Sequence, residues 1–218
     1  MSVPPFDPGK ETPFSQFLYV IKTYFFRLLG LNVLFLICCI PVVTIPAALC
    51  GLHAVVQRYY RKIYSTAVIR DFFAEFKSDF LKRSGLVWLV LAILAVILVL
   101  LRTFANTIIL LVVSALVVLA TLLLLTWFVP QLVLLNLDAV QALKNALILT
   151  MIETKTNFIL MVLHAIVLTA MVCLLPMSGF ALVFVPVLHT LLVTALVMPV
   201  FKKFLIHDDQ TNDTVADA

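Results

Sequence analysis

One apolar stretch, residues 28–51 (LLGLNVLFLICCIPVVTIPAALCG), constrains the fold more than any other part of the chain. At a rise of 1.5 Å per residue, about 20 apolar residues in a helix match a hydrocarbon core about 30 Å thick. The stretch therefore predicts a first transmembrane helix over about residues 28–49. Pro41 and Pro46 interrupt its second half, where lipid cannot replace the backbone donors that they remove. We expect neighbouring helices, water or the Thr44 hydroxyl to repair this break.

Apolar residues make up 64% of the 218 residues, well above the roughly 45–50% that is usual in soluble domains. The sequence predicts an all-α, polytopic membrane bundle with about five transmembrane helices and additional amphipathic interfacial helices. The predicted spans are about residues 28–49, 86–101, 108–129, 158–175 and 180–201, all within one domain over residues 12–206. Residues 1–11 are expected to form a flexible tail, and residues 207–218 a disordered acidic tail.

Amphipathic segments flank the predicted spans. Thr12 followed by Pro13 is typical of a helix start and predicts an interfacial helix over residues 12–27 that leads into the first span. A second amphipathic helix is predicted over residues 70–83, with Phe72, Phe73 and Phe76 on one face. We interpret this face either as a membrane anchor or as a docking surface for a partner.

A third amphipathic segment, residues 131–157, follows Pro130, which is expected to bend or end the third span. Its sequence predicts an apolar helix that packs partly against the bundle and carries a narrow polar stripe. The stripe consists of Asp138, Gln141, Lys144 and Asn145.

The distribution of Lys and Arg predicts the orientation of the chain. With five full spans, eleven of the fifteen basic residues fall on one side, which favours an outside N-terminus and a cytoplasmic C-terminus. If the break makes the first segment re-entrant, the split becomes fourteen to one. The charges fit this alternative better, whereas the length of the segment fits a full crossing better. The prediction made here is five spans, with the re-entrant segment as the alternative.

Polar residues inside apolar spans are costly and are therefore candidates for function. In an antiparallel hairpin of the last two spans, His164 and His189 would lie at similar depth. We interpret them as neutral histidines that form hydrogen bonds across helices, and Asn32 and Thr44 as polar groups that hold the helices around the break. Ser114 and Thr121 complete this group of intramembrane polar residues.

The sequence does not favour an enzyme. It contains no phosphate-binding glycine loop, no HExxH or GxSxG pattern and no paired carboxylates within the spans. No cofactor, metal or nucleic-acid partner is expected. The four cysteines lie in or beside apolar runs and are interpreted as small buried hydrophobic residues. They are Cys38, Cys39, Cys50 and Cys173.

Two segments together resemble the YesL family of bacterial membrane proteins, which is catalogued as domain of unknown function 624. The resemblance rests on Asn32, the run from Pro41 to Ile45 and Ala47-Ala48, followed by Asp71-Phe72-Phe73 and Phe76-Lys77. Pro130 and Lys144-Asn145-Ala146 agree with it. Members of this family often lie beside genes for carbohydrate transport and polysaccharide use. The resemblance therefore implies an accessory of a sugar transporter in the bacterial cell membrane.

From these observations we expect a non-catalytic accessory or regulatory partner of a carbohydrate transport system, in contact with membrane lipids and transporter subunits. Asn32, Pro41, Thr44 and Pro46 would shape the helix break. Asp71, Phe72, Phe73, Phe76 and Lys77 would face a partner or lipid headgroups. The alternative is a small permease in which the broken first helix lines the pathway, and it predicts a polar cavity that reaches Asn32 and Thr44.

Overall fold

The computed structural model of the protein describes residues 12–61, 67–78, 80–104, 108–135, 137–174 and 180–204. All regular elements within these ranges are helical, which confirms the predicted all-α bundle. The helices are α1 (Pro13–Cys39), α2 (Ile45–Tyr60), α3 (Val68–Lys77), α4 (Phe80–Phe104), α5 (Ile108–Leu134), α6 (Ala139–Ile152), α7 (Thr154–Leu174) and α8 (Phe180–Phe204). A 3₁₀ turn, Val42–Thr44, precedes α2. The predicted terminal tails, 1–11 and 207–218, lie outside the described residues.

Five helical segments within the described residues are long and apolar enough to cross a membrane: Pro13–Cys39, Val42–Tyr60, Ser84–Leu101, Val112–Leu134 and Phe184–Phe204. The pair α6 and α7 meets the same criterion only when both are taken together, and the chain bends by 99° between them. The number of candidate spans is therefore five, or six if this bent pair is one span. The number agrees with the sequence prediction, although the segments do not all coincide with the predicted ones.

The predicted first span, 28–49, is not a single helix. Its first part is the end of α1 and its last part is the beginning of α2, with a turn at Pro41 between them. α1 begins where the sequence predicted, because the Thr12 side chain accepts a hydrogen bond from the Ser15 backbone N–H. The predicted interfacial helix is continuous with the rest of α1, and only Tyr24, at φ −117° and ψ 17°, departs from helical geometry. Two elements that were expected to be separate are therefore one kinked helix.

α1 and α2 form an antiparallel hairpin. The helices are joined at the Pro41 turn, and at the other end the rings of Tyr24 and Tyr59 stack with their centroids 4.6 Å apart. Each arm between the turn and this tyrosine pair contains about 15 residues, or about 22 Å of helix. A full crossing needs about 30 Å. The tyrosine contact therefore lies closer to the turn than a full crossing would reach, although α1 continues beyond Tyr24 to Pro13. The outer ends of both arms lie on the same side of the hairpin.

Two hydrophobic cores hold the helices together. The first, which we call the hairpin core, joins α1 and α2 to α3 and α8. The second, the α5 core, joins α5 to α6 and α8, with Val87 of α4 and Leu160 of α7 at its edge. The largest fully buried side chains of the hairpin core are Tyr59, Phe72, Leu31, Leu52, Leu191 and Val20, and those of the α5 core are Trp127, Phe128, Phe201, Leu132 and Leu160.

Pro130 does not end the third predicted span, because α5 continues through it to Leu134. A proline inside a helix removes one backbone donor. The side-chain amide of Gln131 lies beside this gap and donates a hydrogen bond to the Trp127 carbonyl oxygen (3.0 Å). Pro130 and Gln131 are both buried in the α5 core, where packing favours a continuous helix.

The polar stripe lies where the sequence predicted, on α6. Asp138 is the N-cap of this helix and accepts a hydrogen bond from the Val140 backbone N–H. Asp138, Gln141 and Lys144 are exposed, and Asn145 is half-buried. The opposite face of α6 packs into the α5 core through Ala142, Ala146 and Leu149.

Candidate functional site

The proline break is a closed turn. The Thr44 hydroxyl lies within hydrogen-bond distance of the backbone carbonyl oxygens of Cys38 and Pro41. The indole N–H of Trp88, on α4, donates to the carbonyl oxygen of Val43 (3.1 Å). The chain therefore satisfies carbonyl groups in the interrupted stretch, as the sequence predicted for Thr44.

The other residues assigned to the break occupy different environments. Pro41 is exposed at the turn, whereas Pro46 is buried in the first turn of α2. Asn32 is 1% exposed and lies on the face of α1 that carries Leu28, Leu31 and Phe35 into the hairpin core. Pro41, Thr44 and Pro46 therefore lie at the turn of the hairpin, whereas Asn32 lies about halfway along α1 between Tyr24 and the turn. Of the four residues, only Asn32 and Pro46 are buried.

The predicted docking face on α3 is largely internal. Phe72 is completely buried in the hairpin core, and Asp71 is 8% exposed. Phe73 and Phe76 are half-buried. The Phe73 ring makes edge contacts with the rings of Phe72 and Phe76, and the Phe76 ring stacks on that of Phe72. Only Lys77 is exposed. The aromatic face was expected to meet lipid or a partner, but its central residues pack against the protein's own helices.

Gly51 explains this close packing. A Cβ atom at Gly51 would lie 2.9 Å from the Phe72 carbonyl oxygen and 2.9 Å from two carbon atoms of its ring. Only glycine allows the backbone of α3 to approach α2 so closely. Asp71 adds an ion pair to the same interface, since its carboxylate lies 3.0 Å from the Arg58 guanidinium.

Two cavities lined by described residues lie away from the break. One of about 130 Å³ lies between α2, α3 and α5, beside Gln57, Arg58, Arg61 and Glu75. Another, of about 40 Å³, is apolar and lies between α1 and α8. Neither of these two cavities includes Asn32 or Thr44 among its lining residues. The polar one lies near the end of α2 that is opposite the Pro41 turn.

His164 and His189 meet. Their ring centroids lie 4.9 Å apart with the rings nearly perpendicular, as their predicted depths allowed. His164 is buried, and its Nε2 atom lies 2.9 Å from the Thr126 hydroxyl oxygen on α5. The sequence did not indicate His53 on α2, which is 8% exposed and interacts electrostatically with His189. These three histidines come from three different helices, α7, α8 and α2.

A second buried polar group was missed at the sequence level. The Trp127 indole N–H donates to the Asn157 side-chain oxygen (2.8 Å). The Asn157 amide in turn donates to the carbonyl oxygens of Leu149 (3.3 Å) and Thr150 (2.7 Å), at the end of α6. This amide stabilises the 99° bend between α6 and α7. The indole donor of Trp127 requires a partner because this residue is fully buried.

Metal-binding geometry is not found in the part of the chain that the structure describes, since no three His, Cys, Asp or Glu side chains converge there. Cys50 is buried, and Cys38 and Cys39 are half-buried free thiols. The side chain of Cys173 lies outside the described residues. These findings describe an interior that is held together by hydrogen bonds and apolar packing.

The fold and these buried groups define a polytopic helical protein with five or six candidate membrane spans. Residues 28–101 match the model of DUF624, a family described as proteins of unknown function. The match covers α1 from Leu28 onward, α2, α3 and most of α4, and it confirms the predicted family resemblance. No curated protein and no solved structure matches the chain.

Proposed function

We propose that the protein is a non-catalytic accessory or regulatory partner of a membrane transport system. The resemblance to the YesL family supports carbohydrates as the transported class, because such proteins are often encoded beside sugar transport genes. The observation that carries the proposal is the exposure of α4. Of the residues in its candidate span, 11% are buried, compared with 67% in the span that contains α2.

The exposed face of α4 suits an apolar transmembrane partner. We call it the α4 outer face, and it comprises Leu89, Ala92, Ile93, Val96, Val99 and Leu100, all of them exposed. Lipid tails are as apolar as these side chains, so helix association in a membrane depends on close packing, which small residues such as Ala92 favour. The occupant that we propose is a transmembrane helix of a transporter subunit.

The closed turn at Pro41 supports an accessory role over a permease. Interrupted helices in transporters expose backbone groups to the substrate, whereas the carbonyl oxygens of Cys38, Pro41 and Val43 are within hydrogen-bond distance of Thr44 or Trp88. A permease would also need a polar cavity at Asn32 and Thr44. The polar cavity beside Arg58 and Glu75 lies elsewhere along the hairpin.

Photo-crosslinking in the native membrane tests the accessory role. A photoreactive residue at Val96, which is 59% exposed on the α4 outer face, is compared with one at Val33, which is 44% exposed on α1. We expect the Val96 probe, but not the Val33 probe, to yield an adduct with a transporter subunit. Protein adducts from neither site, or the same adducts from both, would contradict the proposal. Solute flux through the purified protein in vesicles would favour the permease instead.

We further propose that the N-terminus and the segment after α2 lie on the cytoplasmic side of a bacterial cell membrane. The antiparallel hairpin supports this orientation, because it returns the chain to the side on which it began. Fourteen of the fifteen basic residues then fall on the inner side, as the positive-inside rule requires. This replaces the outside N-terminus that a single first crossing predicted.

A further inference from the structure

The hydrogen bonds of His164 involve both of its ring nitrogens. Nδ1 lies 2.6 Å from the backbone carbonyl oxygen of Leu160. Nε2 lies 2.9 Å from the Thr126 hydroxyl oxygen. That hydroxyl oxygen also lies 2.7 Å from the carbonyl oxygen of Leu122. The three short contacts therefore form one chain of donors and acceptors. The contact between Nε2 and the Thr126 hydroxyl joins α7 to α5, and the other two lie within α7 and within α5.

A neutral His164 ring and the Thr126 hydroxyl do not carry enough hydrogen atoms to make all three contacts hydrogen bonds. A carbonyl oxygen only accepts, so Nδ1 must carry a hydrogen to bond Leu160. The single hydroxyl hydrogen of Thr126 can point to Leu122 or to Nε2, but not to both. If it points to Leu122, Nε2 must itself carry a hydrogen and donate it to Thr126. All three contacts are hydrogen bonds only when His164 is an imidazolium.

A neutral His164 ring also fits these atomic positions. In that state the Thr126 hydroxyl hydrogen turns from Leu122 toward Nε2, and one hydrogen bond is lost. Rotation of one hydroxyl group therefore separates the two protonation states. Such a site can take up or release a proton without repacking the helices around it.

We propose that His164 is a proton-binding site inside the bundle, where it holds one proton as an imidazolium between the Leu160 carbonyl and the Thr126 hydroxyl. The proton adds to Nε2 from the surroundings and returns there on release. Histidine is suited to this role, because it changes charge near neutral pH. The proposal stands on local geometry and does not depend on the accessory function.

The groups that face His164 favour one bound proton in this region rather than one on each of the two histidines. From α8, the ring of His189 lies nearly perpendicular to that of His164, an arrangement in which a neutral ring can stabilise an adjacent cation. A second imidazolium at 4.9 Å would be repelled. His53 of α2 interacts electrostatically with His189, and α5 contributes the uncharged Thr126.

Charged groups near α7 are farther away. On α6, Lys144 is exposed. At the start of α7, Glu153 is paired with Lys203 of α8 at 3.4 Å. Glu153 lies about 16 Å from His164 along the helix axis. In the described parts of the chain, the hydrogen-bond acceptors at His164 and the ring of His189 are therefore its nearest polar partners.

Nitrogen NMR on the full chain in lipid nanodiscs tests the site directly. With ¹⁵N-labelled histidine, the His164 resonances are assigned by their loss in His164→Gln and followed from about pH 8 to about pH 5, the range in which histidine changes charge. We expect both ring nitrogens to become protonated, with the Nδ1 hydrogen present throughout. A His164 that keeps one protonated nitrogen over the whole range would overturn the proposal.

A pair of threonine variants separates the hydrogen bond from general effects on α5. Thr126→Val removes the acceptor for the Nε2 hydrogen and should lower the proton affinity of His164 about tenfold, the usual effect of one charge-assisted hydrogen bond. Thr121 bonds the Val117 carbonyl in the same way, but it is not bonded to His164, so Thr121→Val should leave the affinity unchanged. Equal effects of the two variants would contradict the assignment.

A third variant identifies which histidine binds the proton. His189→Phe keeps an aromatic ring beside His164 and removes the second titratable group. We expect His164 still to bind one proton in this variant. If proton uptake disappears with His189, the proton belongs to that residue and the assignment to His164 is wrong.

Discussion

The α1–α2 hairpin and the consecutive helices α4 and α5 are both apolar helix pairs, yet they are used differently. In the span that contains α2, 67% of the residues are buried, whereas 11% of the α4 span is buried. The first pair carries buried polar groups, such as Asn32, His53 and Gln57, which face other protein elements. Much of the α4 surface is apolar and exposed. Hydropathy therefore identifies both pairs as membrane segments, but it does not distinguish a helix that packs in the interior from one that faces lipid or a partner.

The largest expected effect comes from Gly51, at the most closely packed point of the first hairpin. Gly51→Ala should destabilise the protein by about 1–3 kcal/mol, the usual cost of overpacking, because the new Cβ would collide with the Phe72 backbone oxygen. The measurement is the thermal unfolding midpoint in detergent. Gly85→Ala on α4 is the matched control, since a Cβ there meets nothing within 4 Å. Equal stability of the two variants would show that α3 is not packed against α2.

The next effect is expected at the bend between α6 and α7. Trp127→Phe keeps the ring in the α5 core but removes the donor to Asn157, and it should cost about 1–3 kcal/mol because a buried acceptor loses its partner. Trp88→Phe is the control, since Trp88 is half-buried and makes a single described hydrogen bond, to Val43. We expect the smaller loss of stability there. If Trp88→Phe lost more stability than Trp127→Phe, the more important indole would be the one at the proline break.

The ion pair at the α2–α3 interface is expected to contribute less. Asp71→Asn should lower stability by about 1 kcal/mol or less, because the Arg58 side chain is 38% exposed and solvent weakens its attraction to Asp71. The effect should decrease in high salt. Lys77→Gln, at an exposed position of the same helix, is expected to have no measurable effect on the unfolding midpoint. A large, salt-independent loss in Asp71→Asn would indicate a fully buried charge pair.

The smallest effect is predicted at Thr44. Thr44→Val removes the hydroxyl, whose single hydrogen can bond the carbonyl oxygen of Cys38 or that of Pro41. It should cost about 0.5 kcal/mol, the low end for one hydrogen bond. Thr103→Val is the control, because Thr103 bonds the Val99 carbonyl oxygen at an exposed position of an uninterrupted helix. If both valine variants keep the stability of the parent protein, Thr44 does not hold the break.

Much of the architecture could be predicted from the sequence, since apolar length and helix-start signals are local. The start of α1 at Pro13, the polar stripe on α6 and the similar depth of His164 and His189 all followed from spacing. The hairpin did not follow from spacing. The apolar stretch of residues 28–49 is compatible with one crossing helix and equally with the end of one helix followed by the start of the next. The Tyr24–Tyr59 contact, across 35 residues, distinguishes the two.

The candidate site was less predictable for a related reason. The face with Phe72, Phe73 and Phe76 has the same pattern whether it meets lipid or another helix, and the deciding residue is Gly51, which is distant in sequence. His53 and Asn157 carried no local signal, because their partners come from other helices. Pro130 was expected to bend or end α5, but buried packing on both sides keeps that helix continuous.

The central claim is that α1 and α2 fold back on each other at the Pro41 turn. Crosslinking between Tyr24→Cys and Tyr59→Cys tests it most directly, in a background that lacks the four native cysteines and with a short bis-maleimide linker applied in the membrane. The hairpin predicts an intramolecular link between the two positions, detectable as a joined peptide pair from the monomer. A single crossing over residues 28–49 would place the two positions on opposite sides of the hydrocarbon core. No link between them, with both cysteines modified singly, would contradict the hairpin.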